Sequence, residues 1–305
     1  MTSGPGALTT LGGSGGRPVN LADPAERERY EARLRALVAA EARRAEQRRR
    51  VRTLWTRVGF AGGFLLLWEL LSGPVIDPFF FSRPTEIARQ LYLLAAGGRL
   101  LYHLVYTVQE AVYGYLAGVA GGIVFGFLCG RYDVLYRMVE PFVVAFYGIP
   151  RIALAPLFIL WFGLGILAKI VIAAVLVFFV VFMNTVSGIR TVDPELLEVV
   201  SVMGASERQK MVKIIFPAAT PFIITSLRVS IPLAMIGAIV GEFISTNRGI
   251  GYLLTEAAGA FHTGMLFAAI FVLLAVVMVM NFSVSYLEAR LTRWRPQGGT
   301  DVVVQ

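Results

Sequence analysis

Apolar residues fill most of the chain in long blocks that short polar stretches separate. Six of these blocks approach or exceed the ~20 residues that a helix needs to cross a lipid bilayer. They cover residues 54–72, 101–129, 139–163, 168–189, 218–243 and 266–289. The pattern therefore predicts an all-α integral membrane protein with six transmembrane helices.

The chain before the first block is polar and changes composition once. Residues 1–20 are rich in Gly, Ser and Thr and are predicted to be a disordered tail. Residues 21–53 are rich in Arg and are predicted to form a basic amphipathic helix, with Asp23 as N-cap and Pro24 in the first turn. This helix would lie on the membrane surface or act as an arm that binds a partner. Residues 54–290 then form the transmembrane domain, and residues 291–305 form a second tail.

Composition supports a membrane protein and narrows the possible partners. Only 16% of the 305 residues are charged, whereas soluble domains average about 25%. The net charge of +8 would suit nucleic acid, but the arginines cluster at the ends of the apolar blocks. Because membrane topology requires that distribution, no nucleic-acid partner is predicted. The single cysteine, Cys129, excludes an intramolecular disulfide.

Lys and Arg are distributed unevenly between the two sides of the predicted bundle. When the loops are assigned alternately, 21 basic residues fall on the side of both termini and five on the other side. Those five are Arg83, Arg89, Arg99, Lys169 and Arg248. Because basic loops stay in the cytoplasm, both termini and the 190–217 loop are predicted to be cytoplasmic.

Glycine and proline mark the blocks that belong inside a helix bundle. In the second block small residues recur at every fourth position: Gly114, Gly118, Gly122 and Gly126. This spacing predicts close packing against another helix, with the lining of a pathway as the alternative. Prolines interrupt other blocks at Pro150, Pro156, Pro221 and Pro232. The carbonyl groups that they release need partners within a bundle.

The 190–217 loop is a charged island between two apolar blocks. Asp193 and Pro194 predict the start of a short helix, and Gly204 predicts a bend. A second amphipathic helix would follow and end at Pro217, where the next span starts. A loop this short cannot build a core of its own. We therefore expect its apolar face to dock on a partner protein, or otherwise to lie on the lipid surface.

The residues of this loop carry a family resemblance. Glu198, Gly204, Ile214 and Pro217 reproduce the cytoplasmic motif of the permease subunits of ATP-binding-cassette (ABC) importers. Over residues 80–290 the chain is similar to the nitrate, sulfonate and taurine branch of that family. Segments that carry this similarity are FSRPTEIARQL, GIPRIALAPLFILWFGLG, DPELLEVVSVMGAS, RVSIPLAMIGAIVGEF and NRGIGYLL. Val199 and Val200 depart from the family's usual Ala-Ala, a difference expected to alter the fit to the ATPase.

The resemblance implies a type I importer permease fold and a set of partners. A second permease copy would complete a homodimer in the bacterial cytoplasmic membrane, two ABC ATPase subunits would bind below it, and an external solute-binding protein would deliver the solute. The residues that the resemblance assigns to ATPase coupling are Glu198, Val199, Val200, Gly204, Ala205, Ser206, Ile214 and Pro217. The chain has no G-x-x-x-x-G-K-[ST] phosphate loop, so ATP and Mg are expected on the partner ATPases and no cofactor on this chain.

Charged and amide side chains within the apolar blocks are the candidates for the transport pathway. The set comprises Arg151, Arg228, Glu242 and Asn184. Such groups face a cavity or a partner because a charge at mid-bilayer costs about 3 kcal/mol. Arg151 or Arg228 could instead form a structural ion pair with Glu140 or Glu242, and Asn184 is expected to hydrogen-bond across helices.

The sequence lacks the signatures of two other classes of membrane protein. A stand-alone secondary transporter or channel should show an internal repeat, and the two halves of the transmembrane region show no convincing one. An integral-membrane enzyme should show clustered His, Asp and Glu, but the two histidines, His103 and His262, lie far apart in the sequence. The sequence therefore predicts a non-catalytic permease for a small anionic or zwitterionic solute of the nitrate, sulfonate or taurine type.

Overall fold

The computed structural model describes residues 24–245 and 247–291, and helices joined by short turns account for most of them. The first six helices are α1 (Pro24–Leu71), α2 (Pro78–Phe81), α3 (Pro84–Ala96), α4 (Arg99–Arg131), α5 (Asp133–Gly148) and α6 (Ala155–Phe162). The remaining six are α7 (Ile166–Arg190), α8 (Pro194–Val202), α9 (Glu207–Lys210), α10 (Phe216–Ser245), α11 (Ile250–Gly259) and α12 (Thr263–Leu291). Five of these helical stretches are long and apolar enough to cross a membrane, or six if the bent α5–α6 pair counts as one span.

Helix α1 forms a unit of its own up to Leu70. It runs without a break for 48 residues, so the predicted basic helix and the predicted first span belong to a single helix. Its apolar part, Val51–Leu71, is long enough to cross a bilayer. The proposed N-cap Asp23, the 1–20 tail and residues 292–305 of the C-terminal tail lie outside the described residues.

Helices α4, α7 and α10 pack together in the centre of the second unit. The face of α4 with glycine at every fourth position lies directly against α7, which confirms the close packing expected from the spacing. A Cβ atom on Gly118 would lie 2.6 Å from the Ala174 carbonyl oxygen and 2.7 Å from Val177 Cβ. On Gly122 it would lie 2.7 Å from Val181 Cβ. Glycine is therefore required for the observed separation of the two helices.

Helix α10 closes the other side of this core. Ile231 and Ala234 of α10 are fully buried against Val177 and Val181 of α7. Tyr115 of α4 donates a hydrogen bond from its hydroxyl to the Leu227 carbonyl oxygen over 3.0 Å. The three helices thus share one apolar core, in which the tyrosine hydroxyl is also satisfied.

The third predicted span, 139–163, is not one straight helix. Helix α5 ends at Gly148, a 3₁₀ turn covers Arg151–Leu154, and α6 then leaves at an angle of 88° to α5. Pro150 has no N–H to continue the helix, and it forces Ile149 into an extended conformation, with φ −78° and ψ 134°. Counting apolar residues could not detect this bend because the side chains remain apolar throughout.

Pro217 does not end a helix, contrary to the sequence prediction. Helix α9 continues into a π-helical turn, Met211–Ile215, and then directly into α10. In that turn the Phe216 N–H reaches back to the Met211 carbonyl oxygen, five residues earlier. The widened turn gives the proline ring room and compensates for its missing N–H, so the helix passes through.

The contact between α4 and α7 generates a stability prediction. Gly118→Ala places a methyl group against the backbone of α7 and should destabilise the protein by about 1–3 kcal/mol. Gly121→Ala is the matched control, because its Cβ atom would meet only the ring of Phe178, at 3.3 Å. Thermal unfolding of both variants in detergent checks the prediction. Equal melting temperatures for the two would contradict it.

Candidate functional site

The cytoplasmic element predicted from the sequence is a helix that ends at a glycine bend. Helix α8 begins after Asp193, whose carboxylate accepts a hydrogen bond from the Glu195 N–H over 2.9 Å. It ends with two backbone bonds, from the Ala205 N–H to the Val200 carbonyl and from the Gly204 N–H to the Ser201 carbonyl. Gly204 has φ +86°, the left-handed conformation that this termination requires. The predicted bend at Gly204 is confirmed.

A second cap restarts the chain as a helix directly after the bend. The Ser206 hydroxyl accepts a hydrogen bond from the Gln209 N–H, and the Gln209 side chain accepts one from the Ser206 N–H. This reciprocal arrangement fixes the start of α9. The two caps together hold α8 and α9 at a defined angle, and we call residues 193–215 the coupling turn.

The coupling turn has an inner and an outer apolar face. On the inner face Leu197 and Met211 pack against a buried cluster that includes Ile189 of α7 and Ile215. On the outer face Leu196, Val199, Val202, Met203 and Val212 are exposed. Val202 and Met203 expose 90% and 80% of their surface. An exposed apolar patch of this kind on a short element is typical of a docking surface.

The predicted coupling residues lie in three places: on the exposed surface of α8, in α10 and around a cavity at the bend. Glu198 and Val199 are exposed on α8, whereas Pro217 is half-buried within α10. A cavity of about 450 Å³ lies at the bend. Its lining includes four predicted residues, Val200, Gly204, Ala205 and Ile214, together with Met203, Gln209, Lys210 and Lys213.

Ion pairs connect the C-terminal ends of α4 and α7 to neighbouring segments. Arg131, at the end of α4, pairs with Glu207 of the coupling turn. Arg190, at the end of α7, pairs with Asp133 at 2.7 Å, and its guanidinium lies 3.8 Å from the centre of the Tyr136 ring. The coupling turn is therefore attached to the helix core by charge as well as by its inner apolar face.

The predicted pathway residues contact different neighbours. The guanidinium of Arg151 lies 5.5 Å from the centre of the Phe179 ring, and Arg228 is exposed on α10. The Asn184 amide donates to the Val180 carbonyl oxygen, one turn earlier in α7, rather than to another helix as predicted. Glu242 is buried with only 1% of its surface exposed.

Glu242 belongs to a buried polar cluster that sequence reasoning missed. Its carboxylate accepts a hydrogen bond from the Thr107 hydroxyl over 2.6 Å and another from the Gly251 N–H. Beside it, Lys169 of α7 pairs with Glu110 of α4 at 2.8 Å, and these side chains are 5% and 1% exposed. We call these five residues the buried cluster. The sequence placed Lys169 in an external loop, and its position at the edge of an apolar block was the only available signal.

The buried cluster explains the glycines of the segment NRGIGYLL. Gly249 has φ +98°, and a Cβ atom there would overlap the Glu242 carboxylate. On Gly251 a Cβ atom would lie 2.7 Å from Glu242 Oε2. The Ile250 N–H donates to Thr107 Oγ1 over 2.7 Å. The N-terminus of α11 is thus bound by two side chains, from α4 and from α10, and glycine allows their close approach.

Comparisons with known proteins identify the family. Residues 122–293 match the model of the family described as "Binding-protein-dependent transport system inner membrane component". A Bacillus subtilis protein named as an aliphatic sulfonates transport permease, SsuC, is 32% identical over 246 residues, which cover 78% of this chain and 89% of the relative. The chain belongs to this family of transport permeases.

Other relatives of this permease are named for different solutes. The formylaminopyrimidine transport permease protein ThiX of Halalkalibacterium halodurans is 32% identical, over 76% of this chain and 92% of the relative. The taurine transport system permease protein TauC of Escherichia coli is 25% identical, over 74% of this chain and 84% of the relative. The predicted membership of the ABC importer permeases, in the sulfonate and taurine branch, is confirmed.

A solved structure supports the fold of the permease. A chain from the inward-facing MetNI methionine ABC transporter aligns with a TM-score of 0.52 and 20% identity, and it covers 61% of this chain and 94% of that chain. The type I importer permease fold predicted from the sequence is confirmed. Within residues 24–245 and 247–291, no group of three His, Cys, Asp or Glu residues has the arrangement of a metal site. The protein is a multi-pass membrane permease and a non-catalytic transport subunit.

The buried cluster yields a prediction about Thr107. Thr107→Val keeps the shape of the side chain but removes the donor to Glu242 and the acceptor of the Ile250 N–H. Each buried polar group left without a partner costs about 1–3 kcal/mol, so the variant should unfold at a clearly lower temperature. Thr107→Ser retains both hydrogen bonds and serves as the control. A valine variant as stable as the serine variant would contradict the assigned hydrogen bonds.

Proposed function

We propose that this permease imports a small anionic or zwitterionic solute, of the sulfonate or taurine type, across the bacterial cytoplasmic membrane. ATP, with Mg, would be hydrolysed on separate ABC ATPase subunits. The observation that carries this proposal is the exposed outer face of the coupling turn, since an apolar face on a rigid two-helix element needs a protein partner. The names of SsuC and TauC support the class of solute.

The proposed assembly contains two copies of the permease, two ATPase subunits and an external solute-binding protein. The ATPases would dock on Leu196, Val199, Val202 and Met203, with Glu198 at the rim of the contact. Val199 and Val200 replace smaller alanines, so the ATPase groove would be correspondingly wider. Arg131 and Glu207 would carry a movement of the coupling turn into α4.

The proposed topology places both termini and the coupling turn in the cytoplasm, with α2, α3 and α11 on the external side. The uneven count of basic residues supports it. Residues 1–20 and 291–305 would be cytoplasmic tails, and residues 21–53 a basic cytoplasmic helix that continues into the membrane. Arg151, Arg228 and Asn184 remain proposed pathway residues, whereas Glu242 is assigned to the buried cluster.

The topology predicts the outcome of labelling with a membrane-impermeant thiol reagent. Arg89→Cys, at an exposed position of α3, should react from outside in intact cells, whereas Ala205→Cys should react only after the membrane is opened. The native Cys129 is buried and should give little background. The reverse pattern would remove the basis for placing ATPases against the coupling turn.

The coupling turn predicts a specific effect of changes at Gly204. Space around this residue is open, with nothing within 4 Å of an added Cβ atom, so only backbone strain opposes a substitution. Gly204→Val should cost about 1–2 kcal/mol in the left-handed conformation. We expect a loss of ATPase affinity of about tenfold, with insertion into the membrane unchanged.

Gly204→Asn is the matched control, because asparagine tolerates a positive φ. Affinity for the ATPase and ATP-driven uptake are measured for both variants in the same membranes. Wild-type coupling in the valine variant would indicate that the bend is not part of the docking surface.

A further inference from the structure

Basic residues in α1 are concentrated next to its apolar part. Residues 26–41 contain four arginines and four glutamates, so this stretch of the helix has no net charge. Residues 43–57 contain seven arginines and one glutamate, which gives a net charge of +6. Because α1 runs without a break from Pro24 to Leu71, the change occurs along a single helix. The positive charge therefore lies where the helix enters the bilayer, at the start of Val51–Leu71.

Arg48, Arg52 and Trp55 lie on one face of α1. Spacings of four and three residues place them within about 60° of each other around the helix axis, on successive turns. All three are exposed, and Trp55 exposes 70% of its surface. We call these residues the Arg–Trp strip. Glu46 does not neutralise it, because a glutamate in a helix reaches residues three or four positions away, whereas Arg48 and Arg52 are two and six positions away.

The depth of the Arg–Trp strip favours lipid over a soluble partner. Trp55 lies four residues and Arg57 six residues beyond Val51, the first residue of the candidate span. At 1.5 Å per residue these separations are about 6 and 9 Å along the helix axis. A soluble protein or a nucleic acid does not reach side chains at that depth, whereas phospholipids surround them. Long arginine side chains extend to the headgroup level, and tryptophan is enriched at that level.

The chemistry of the strip suits a phosphate ester. A guanidinium group can donate two parallel hydrogen bonds to phosphate oxygens. Two guanidinium groups on successive turns repel the cation of a zwitterionic headgroup such as phosphocholine. An anionic headgroup contains no such cation, and arginines beside a membrane span attract it electrostatically.

We propose that Arg48, Arg52 and Trp55 bind the headgroup of an anionic phospholipid, with both guanidinium groups on the phosphate and the indole directly below it. The bound lipid fixes the depth of α1 in the membrane. The inference goes beyond the proposed function, because it requires only that α1 span a bilayer and depends on neither the solute nor the ATPase.

The test measures which lipids contact Trp55. Trp68, Trp161 and Trp294 are replaced by phenylalanine in the full chain, so that Trp55 is the one remaining indole. The protein is reconstituted into vesicles of phosphatidylglycerol and phosphatidylcholine in equal amounts, with brominated acyl chains in one lipid or in the other. Bromine quenches tryptophan fluorescence only on contact. We expect phosphatidylglycerol to be preferred about fivefold, the factor that one arginine contributes near an anionic surface, and less at high salt.

Arginine variants identify the cause of this preference. Arg48→Gln combined with Arg52→Gln should remove most of it, and glutamine retains a high helix propensity. Arg33→Gln combined with Arg35→Gln is the matched control. It removes the same charge at least about 24 Å from Val51 along the helix, beyond the range of screened electrostatics, and should leave the preference unchanged. Equal quenching by the two brominated lipids in the unsubstituted chain, or equal effects of the two double variants, would overturn the inference.

A second measurement separates a lipid site from a contact with a partner protein. The affinity of the partner ATPase subunits for the permease is measured in the same vesicles for the Arg48→Gln, Arg52→Gln double variant. Loss of the lipid preference with unchanged ATPase affinity supports the lipid site. Weaker ATPase binding with the lipid preference intact assigns the strip to the protein partner and overturns the inference.

Discussion

The close contact between α4 and α7 is the constraint on which the rest of the permease depends. At Gly118 and Gly122 the two backbones approach so closely that there is no room for a methyl group. No water can separate side chains that face each other across such a contact. Glu110 and Lys169, which lie further along the same two helices, are therefore buried and must neutralise each other directly. The glycine spacing thus determines the electrostatics of the helix core as well as its packing.

Glu242, the second buried acidic residue, is held by hydrogen bonds to α4 and α11. Glu242 has no lysine of its own among its hydrogen-bond partners, which are the Thr107 hydroxyl and the Gly251 N–H. The Gly251 N–H belongs to the first turn of α11, where unsatisfied N–H groups and the helix dipole favour negative charge. The Glu242 side chain thus satisfies an N–H group at the start of α11 and fixes the position of that helix.

The sequence could predict the features that depend on local spacing. The length of the apolar blocks, the glycine face of α4 and the bend at Gly204 all follow from neighbouring residues, and the structure contains each of them. The effect of proline could not be predicted in the same way. Pro150 accompanies an 88° bend, whereas a π-helical turn carries the chain through Pro217. The difference depends on whether the surrounding carbonyl groups find other partners, and only the packed structure decides that.

The buried cluster could not be predicted from the sequence, for a related reason. Lys169 and Glu110 are 59 residues apart, and Thr107 and Glu242 are 135 apart, so no local pattern connects them. Charge counting assigned Lys169 to a loop because loops are where lysine usually lies. Its burial depends on the packing of α7 against both α4 and α10, where Gly241 leaves room for the Lys169 stem.

The helical stretch formed by α9, the π-helical turn and α10 connects the coupling turn to the buried cluster. Helical backbone runs from Glu207 in the coupling turn to Ile244, 38 residues without a break, and Glu242 lies near its C-terminal end. At 1.5 Å per residue this path is about 57 Å long. A helix of this kind resists stretching but can bend where its hydrogen bonds change register, as they do in the π-helical turn. Any displacement of the coupling turn would therefore be carried by this helix to the buried cluster, with the π-helical turn as its flexible point.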